Sequence, residues 1–327
     1  MLHSIASPQL WVITVAVLVA LLAADFVVTR RPHDVPMREA VAWVVFYLTL
    51  PAVFGLVVWH VYGSEPAVEF YTGFVVEKSL SVDNLFVFML LLAAFTVPPA
   101  LAQRVLLYGI AGALVLRGIF IAAGAAVLET GTWAFLLFGA ALLATAFKVM
   151  RDAVRHEEYH VDIDKMRSVR LIRRVFPVTA QYHGARLTVR QGVRRALTPL
   201  AVVVVAVFMT DIVFAFDSVP AVYGVTEDPY LVFATNAFAL LGLRALYFVL
   251  RNVLDKVRHL DYGLAVILAF IGVKLVLHWA HGLWPSLPEL PTTLSLAVIA
   301  VTLATVTVTS MVANRREAEA AAYTPQG

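Results

Sequence analysis

Long apolar segments, separated by short polar ones, dominate this chain. A helix crosses the hydrocarbon core of a bilayer with roughly 20 apolar residues. Nine segments meet this requirement, at residues 8–29, 39–62, 67–97, 104–128, 132–150, 198–224, 229–251, 259–281 and 292–313. A membrane β-barrel would instead show short strands of alternating polarity. The pattern therefore predicts an all-α polytopic membrane protein with about nine transmembrane helices.

The composition supports this fold class and excludes others. Of 327 residues, 61% are hydrophobic and 14% are charged, whereas about 25% are charged in an ordinary soluble domain. A soluble enzyme and a disordered chain are both incompatible with these values. The chain has no cysteine, which removes disulfides, thiolate metal sites and catalytic thiols.

The basic residues predict the orientation in the membrane. Of the 25 Lys and Arg residues, 21 lie on alternate loops and the C-terminal tail, and the loops between them carry acidic residues instead. Basic loops face the cytoplasm, so we expect the N-terminus outside and the C-terminus inside. The longest basic loop, 151–197, is expected to contact anionic membrane lipid, and nucleic acid is not an expected partner.

We single out eight charged residues that lie well inside the predicted spans. Each costs about 2.5–3.5 kcal/mol in mid-membrane, so each is expected to face the protein interior. Either they form structural ion pairs or they line a transport pathway, and we favour the pathway. They are Glu77, Lys78, Asp83, Arg117, Asp211, Asp217, Arg244 and Lys274.

An internal repeat links several of these positions. Glu77 and Asp83 are followed by Asn84, and Asp211 and Asp217, with the same spacing, by Ser218. The next span of each half carries an arginine. Two units of three helices would insert in opposite directions, as in transporters with a midplane substrate site. The organisation expected is two peripheral helices (1–66), a first repeat (67–150), a basic cytoplasmic loop (151–197), a second repeat (198–281), and a last helix with a cytoplasmic tail (282–327).

The acids and their polar neighbours supply oxygen ligands, which Mn²⁺, Mg²⁺ and Ca²⁺ prefer. The predicted metal ligands are Glu77, Asp83, Asn84, Asp211, Asp217, Ser218 and Asn236. Buried carboxylates that lose a cation favour proton binding, so metal–proton exchange is a further hypothesis. Two of the four supporting cations, Arg117 and Arg244, would hold these acids when the ion leaves or form ordinary structural ion pairs, and the partner of Lys78 is expected on another helix. In an alternative hypothesis the four cations bind another solute such as an oxyanion. They are Lys78, Arg117, Arg244 and Lys274.

A second motif points to different chemistry. His156, Glu157 and His160 match the H-E-x-x-H zinc pattern within the basic loop. The motif is compatible with a solvated helix end, a cytoplasmic metal-loading or sensing patch, or a membrane zinc metalloprotease. Its charged juxtamembrane setting favours the first, so we expect a transporter and not an enzyme.

Several stretches resemble the TerC integral membrane family, named for tellurium resistance. They are EKSLSVDNLFVF at 77–88, TDIVFAFDSVPA at 210–221, RRVFPVT at 173–179, LGLRALYF at 241–248, and YGLAV with GVK between 262 and 274. The resemblance implies Mn²⁺ efflux across the bacterial cytoplasmic membrane, with Mn²⁺ as transported substrate and no cofactor.

The resemblance also assigns ligand roles to Glu77, Asp83, Asp211 and Asp217. One departure is Phe208, where many members carry a glutamate. The export direction comes from the resemblance alone. Metal selectivity, the coupling ion and self-association into a homo-oligomer stay open.

Overall fold

The structure is a computed structural model that describes residues 4–323 except 29–35, 156–168, 171, 173, 175, 180, 192–193, 251–259 and 289. The side chains of 83, 86, 99–100, 191, 194, 250 and 314–323 also lie outside the description. Within these limits the chain is a bundle of long helices with a short two-stranded hairpin.

The helices follow the apolar runs closely. Proline stands in the first turn of several of them, where its missing N–H leaves no hydrogen bond unmade. In chain order they are α1 (Pro8–Val28), α2 (Met37–Tyr62), α3 (Ser64–Ala94), α4 (Pro99–Glu129), α5 (Trp133–Val154), α6 (Pro199–Tyr223), α7 (Pro229–Leu241), α8 (Leu243–Leu250), α9 (Leu260–Leu283) and α10 (Thr292–Tyr323).

Eight stretches of helix in the described residues are long and apolar enough to cross a membrane, with α7 and α8 counting together. They correspond to eight of the nine predicted spans. The remaining predicted span corresponds to α3, which has 31 residues. Its five Asp, Glu and Lys residues lower its mean hydropathy. The all-α polytopic membrane fold is confirmed.

The predicted span 229–251 is broken in the structure. Gly242 interrupts the helix between α7 and α8, which the unbroken apolar run does not reveal. A Cβ atom at this position would lie 3.2 Å from Lys78 Nζ. The absence of a side chain therefore lets Lys78 of α3 approach the break.

The packing of the two predicted units is reciprocal. α3 packs against α7 while α4 packs against α6, and α5 packs along α9. A Cβ on Gly139 of α5 would lie 2.8 Å from the carbonyl oxygen of Gly272 on α9, and one on Gly272 would lie 3.1 Å from that of Gly139. If the two units exchanged places, the α3–α7 contact and the α4–α6 contact would replace each other. The inverted orientation of the two units stays a prediction.

A short hairpin covers one end of the bundle. Its strands, β1 (Thr188–Gln191) and β2 (Arg194–Leu197), are antiparallel. Leu187, just before β1, packs against the core cluster that includes Leu200 of α6. Tyr182 donates a hydrogen bond to the carbonyl of Phe95 at the end of α3, at 2.8 Å. The hairpin is thus attached to the ends of α3 and α6.

Candidate functional site

Four helices bring polar side chains together inside the bundle. Arg117 of α4 donates hydrogen bonds from Nη1 to Glu77 Oε1 of α3 and, at 2.8 Å, to Asn236 Oδ1 of α7. Its Nη2 lies 3.6 Å from Asp211 Oδ1 of α6. All four residues are at most 1% exposed. We call Glu77, Arg117, Asp211 and Asn236 the carboxylate cluster.

The carboxylate cluster has polar atoms that no described residue satisfies. Glu77 Oε2 and Asp211 Oδ2 are buried without a hydrogen-bond partner among the described residues, as are the hydroxyls of Ser81 and Ser218. Ser81 lies one turn after Glu77 on α3, and Ser218 lies on the face of α6 that carries Asp211. Buried polar groups without partners are costly, so these oxygens are suited to bind a cation or water.

The other predicted ligands lie in α3 and α6. Asn84 is buried in α3. Asp217 is half-buried on α6 and accepts a hydrogen bond from Thr145 of α5 at 2.8 Å. The side chain of Asp83 lies outside the described part of the structure. Among the described residues, no three His, Asp or Glu side chains lie close enough together to hold a metal ion. The full predicted ligand set therefore stays a prediction.

Arg244 forms a structural ion pair, one of the two roles that the sequence left open, and lies away from the carboxylate cluster. Its Nε donates to Asp25 Oδ2 of α1 at 3.0 Å, its Nη2 contacts Asp25 Oδ1, and its Cζ lies 5.9 Å from the centre of the Trp43 ring. Both charged groups are buried. The repeat relates Arg244 to Arg117, but the peripheral helix α1 supplies a carboxylate of its own. This ion pair joins α1 to the broken helix.

Replacing Asp25 with Leu is expected to lower the free energy of unfolding by about 3 kcal/mol, because it leaves the buried guanidinium of Arg244 without its counter-charge. Unfolding of the purified protein in detergent measures this. Asp152→Asn is the matched control, because Asp152 pairs with the exposed Arg151 and surface pairs contribute below about 1 kcal/mol. The double variant Asp25→Leu/Arg244→Met should recover most of the loss. Equal effects of D25L and D152N would contradict the assignment.

Lys78 follows Glu77 in sequence but lies on a different face of α3. Its Nζ donates to the carbonyl oxygen of Ala239 at the C-terminal end of α7, at 3.2 Å. A cation at this position donates a hydrogen bond to a carbonyl at the helix end and interacts favourably with the helix dipole. Lys78 therefore supports the α7–α8 break and does not join the carboxylate cluster.

The fourth predicted cation, Lys274 of α9, lines a cavity of about 830 Å³. Glu65, Glu69, Glu227 and His278 line it too. Glu69 accepts a hydrogen bond from Thr226 at 2.7 Å, and His278 Nε2 lies 3.3 Å from Glu227 Oε1. The cavity opens among the loops that carry acidic residues, near the N-terminal end of α3. Lys274 is thus separate from the carboxylate cluster.

Sequence reasoning missed Asp25, Glu69 and Ser81. Asp25 and Glu69 lie near the ends of predicted spans, where a charged residue costs less than at the helix centre, so their signal was weaker than that of the residues singled out. Ser81 gave no such signal, because a buried serine normally satisfies its hydroxyl on the preceding turn.

Two further features of the sequence are the H-E-x-x-H motif and Phe208. The H-E-x-x-H residues His156, Glu157 and His160 lie outside the described residues. Phe208, which replaces a glutamate common in the family, is half-buried on α6. Its ring lies against Gly112 of α4, where an added Cβ would be 2.7 Å from the ring. This position therefore contributes to the packing of α4 on α6.

The fold and the carboxylate cluster together define a polytopic helical membrane protein with a charged centre. The chain matches the integral membrane protein TerC family over residues 62–318 and belongs to that family. No solved structure matches it.

Three relatives illustrate the similarity. An uncharacterised membrane protein of Mycobacterium tuberculosis is 43% identical over 84% of this chain and 70% of its own length. One from Myxococcus xanthus is 37% identical over 99% and 98% of the two chains. The putative membrane-bound redox modulator Alx of Escherichia coli is 38% identical over 84% and 88%.

Proposed function

We propose that this protein exports a divalent metal cation, most favourably Mn²⁺, across the bacterial cytoplasmic membrane. The observation that carries the proposal is the meeting of Glu77 and Asp211 at one buried guanidinium. These are the first acids of the two motifs that the predicted repeat relates, on two different helices. Acids kept in mid-membrane at such a cost are typical of ion pathways. The metal and the export direction rest on the family resemblance.

Arg117 acts in this proposal as an internal counter-ion. In the cation-free arrangement it neutralises Glu77 and Asp211, which would otherwise repel each other in a low-dielectric interior. A divalent cation carries twice the charge of the guanidinium and can replace it between the two carboxylates. Binding then moves Arg117 away from at least one of them, which gives the protein two alternative arrangements of the same site.

The donor chemistry supports a hard cation. Glu77, Asp211 and Asn236 offer oxygen atoms, and Ser81 and Ser218 add hydroxyls. Mn²⁺, Mg²⁺ and Ca²⁺ prefer such ligands, whereas Cu⁺ prefers sulfur. Asp83 and Asp217 lie about 9 Å further along their helices. Because α3 and α6 run in opposite directions, these two acids would serve as separate stations on the two sides of the carboxylate cluster.

In this proposal the cavity is the outer end of the path that the cation takes from the carboxylate cluster. Glu69 lies two turns before Glu77 on α3, about 12 Å along the helix axis. A cation leaving the carboxylate cluster would meet Glu69, and then Glu65 and Glu227 at the cavity wall. By the distribution of basic loops this face is the outer one.

The alternative cargo, an oxyanion, is less well supported. It would use the buried cations as binding groups, yet Arg117 and Arg244 are both paired with carboxylates, and an anion would have to displace these acids. The Alx relatives carry redox modulation in their name. This chain has no cysteine, so its own side chains offer no thiol–disulfide exchange.

Metal flux in sealed inside-out vesicles tests the proposal. Vesicles containing the protein should accumulate Mn²⁺ faster than Mg²⁺, Ca²⁺ or Zn²⁺. Asp83→Asn and Asp217→Asn should each abolish accumulation, because each removes the charge of one station beside the carboxylate cluster. Glu129→Gln, an exposed acid at the end of α4, is the matched control and should retain it. Accumulation no faster than in vesicles without the protein would refute the proposal.

A further inference from the structure

The hairpin presents three arginines on one surface. Arg186, Arg190 and Arg195 are exposed, whereas Ala196 is buried and Leu187 packs against the helices. This follows from the alternation of side chains along a strand. We call Arg186, Arg190 and Arg195 the arginine face.

The arginine face is electrostatically unfavourable by itself. Arg190 and Arg195 are direct cross-strand partners in the antiparallel register, and like charges in that arrangement destabilise a hairpin. Among the described residues, none of the three guanidinium groups forms an ion pair with a carboxylate. An anionic partner outside the protein would relieve this repulsion.

The hairpin is attached at the start of α6, which places the arginine face beside the N-terminal end of that helix. Thr198 caps the N-terminus of α6, and its hydroxyl donates to the carbonyl of Arg186 at 2.7 Å. Arg195 stands three residues before Thr198, about 10 Å along an extended strand. Since α6 is long and apolar enough to cross a membrane and begins at Pro199, the arginine face lies next to the end of a span, within reach of the lipid headgroup region.

We propose that the arginine face binds the phosphate of an anionic phospholipid in the cytoplasmic leaflet. A guanidinium holds a phosphate through two parallel hydrogen bonds, and two adjacent arginines can share one headgroup between them. The bound lipid would hold the hairpin against the ends of α3 and α6. This interaction does not require the transported cation and is independent of it.

Retention of phosphatidylglycerol by the full-length protein tests this site. Protein purified in a neutral detergent is titrated with phosphatidylglycerol or phosphatidylcholine, and bound lipid is counted by native mass spectrometry. Wild-type protein should prefer phosphatidylglycerol. Arg190→Gln/Arg195→Gln should weaken its retention roughly 20-fold, from about fivefold for each basic residue near an anionic headgroup. Arg151→Gln/Arg174→Gln removes the same charge from two other exposed residues and should change retention less than twofold.

Two results would overturn the proposal. One is equal loss in both double variants, which would indicate a general charge effect. The other is full displacement of phosphatidylglycerol by an equal concentration of inorganic phosphate, which would indicate a site for free anions. If the R190Q/R195Q variant does not fold, hydrogen exchange of wild-type amides 188–197 is compared in the two lipids. Exchange should be slower in phosphatidylglycerol, and equal rates would refute the proposal.

Discussion

Glu77→Gln and Asp211→Asn are each expected to lower Mn²⁺ flux in sealed vesicles by about 100-fold or more. Removing a residue that only hydrogen-bonds a metal ligand already lowers the affinity for the metal by about 10- to 100-fold. These two carboxylates would be ligands themselves, so their loss should have a larger effect. Both replacements keep the size and most of the hydrogen-bonding capacity of the side chain. Arg117 retains one carboxylate partner in each single variant, so the protein should still fold and insert.

Asp152→Asn is the control for this pair, because it neutralises an acid in an exposed ion pair. It should leave flux within about twofold of wild type, as expected for a surface substitution. Flux in E77Q or D211N at the level of the control would show that the carboxylate cluster is structural. A loss of flux accompanied by loss of folded protein would be attributed to stability and not to binding.

Arg117→Met should have the largest effect on stability. The guanidinium neutralises Glu77 and Asp211 inside the bundle, and removing one partner of a buried ion pair typically costs about 3–5 kcal/mol. With two carboxylates left uncompensated, we expect a loss at or above the upper end of that range. Chemical unfolding in detergent, compared with Arg151→Met at an exposed ion pair, measures it.

A triple variant separates charge from packing at the same site. Glu77→Gln/Arg117→Met/Asp211→Asn removes all three charges together, and replacement of a buried charged network by neutral groups is often close to neutral in stability. It should therefore recover most of the stability lost by R117M alone. If the triple variant is as unstable as R117M, the loss comes from the shape of the arginine and not from its charge.

Most of the helices could be predicted from the sequence because they coincide with continuous apolar runs, although α3 carries several charges and one run is broken into α7 and α8. The cost of charge in lipid also identified Glu77, Arg117 and Asp211 before any contact was known. Asn236 could be proposed as an oxygen donor, and the structure places it in hydrogen-bond contact with Arg117. These predictions depend on local composition, which the sequence shows directly.

The contacts between distant helices were not predictable in the same way. The pairing of Arg244 with Asp25 joins residues 219 positions apart, and no spacing rule relates them. The break at Gly242 lies within one continuous predicted span, so the apolar pattern did not indicate it. In the structure Lys78 lies close to this break. The arginine face could not be predicted without the register of the hairpin. The sequence alone does not distinguish among the twelve basic residues at 148–195.

The location of Mn²⁺ in the protein tests the central claim most directly. Crystals of the full-length chain grown in lipid with Mn²⁺ can be measured at the manganese absorption edge, where the anomalous signal identifies the metal. We predict a peak between α3 and α6 beside the carboxylates of Glu77 and Asp211, with Arg117 withdrawn from at least one of them. A manganese peak elsewhere, with both carboxylates still bound to Arg117, would contradict the account.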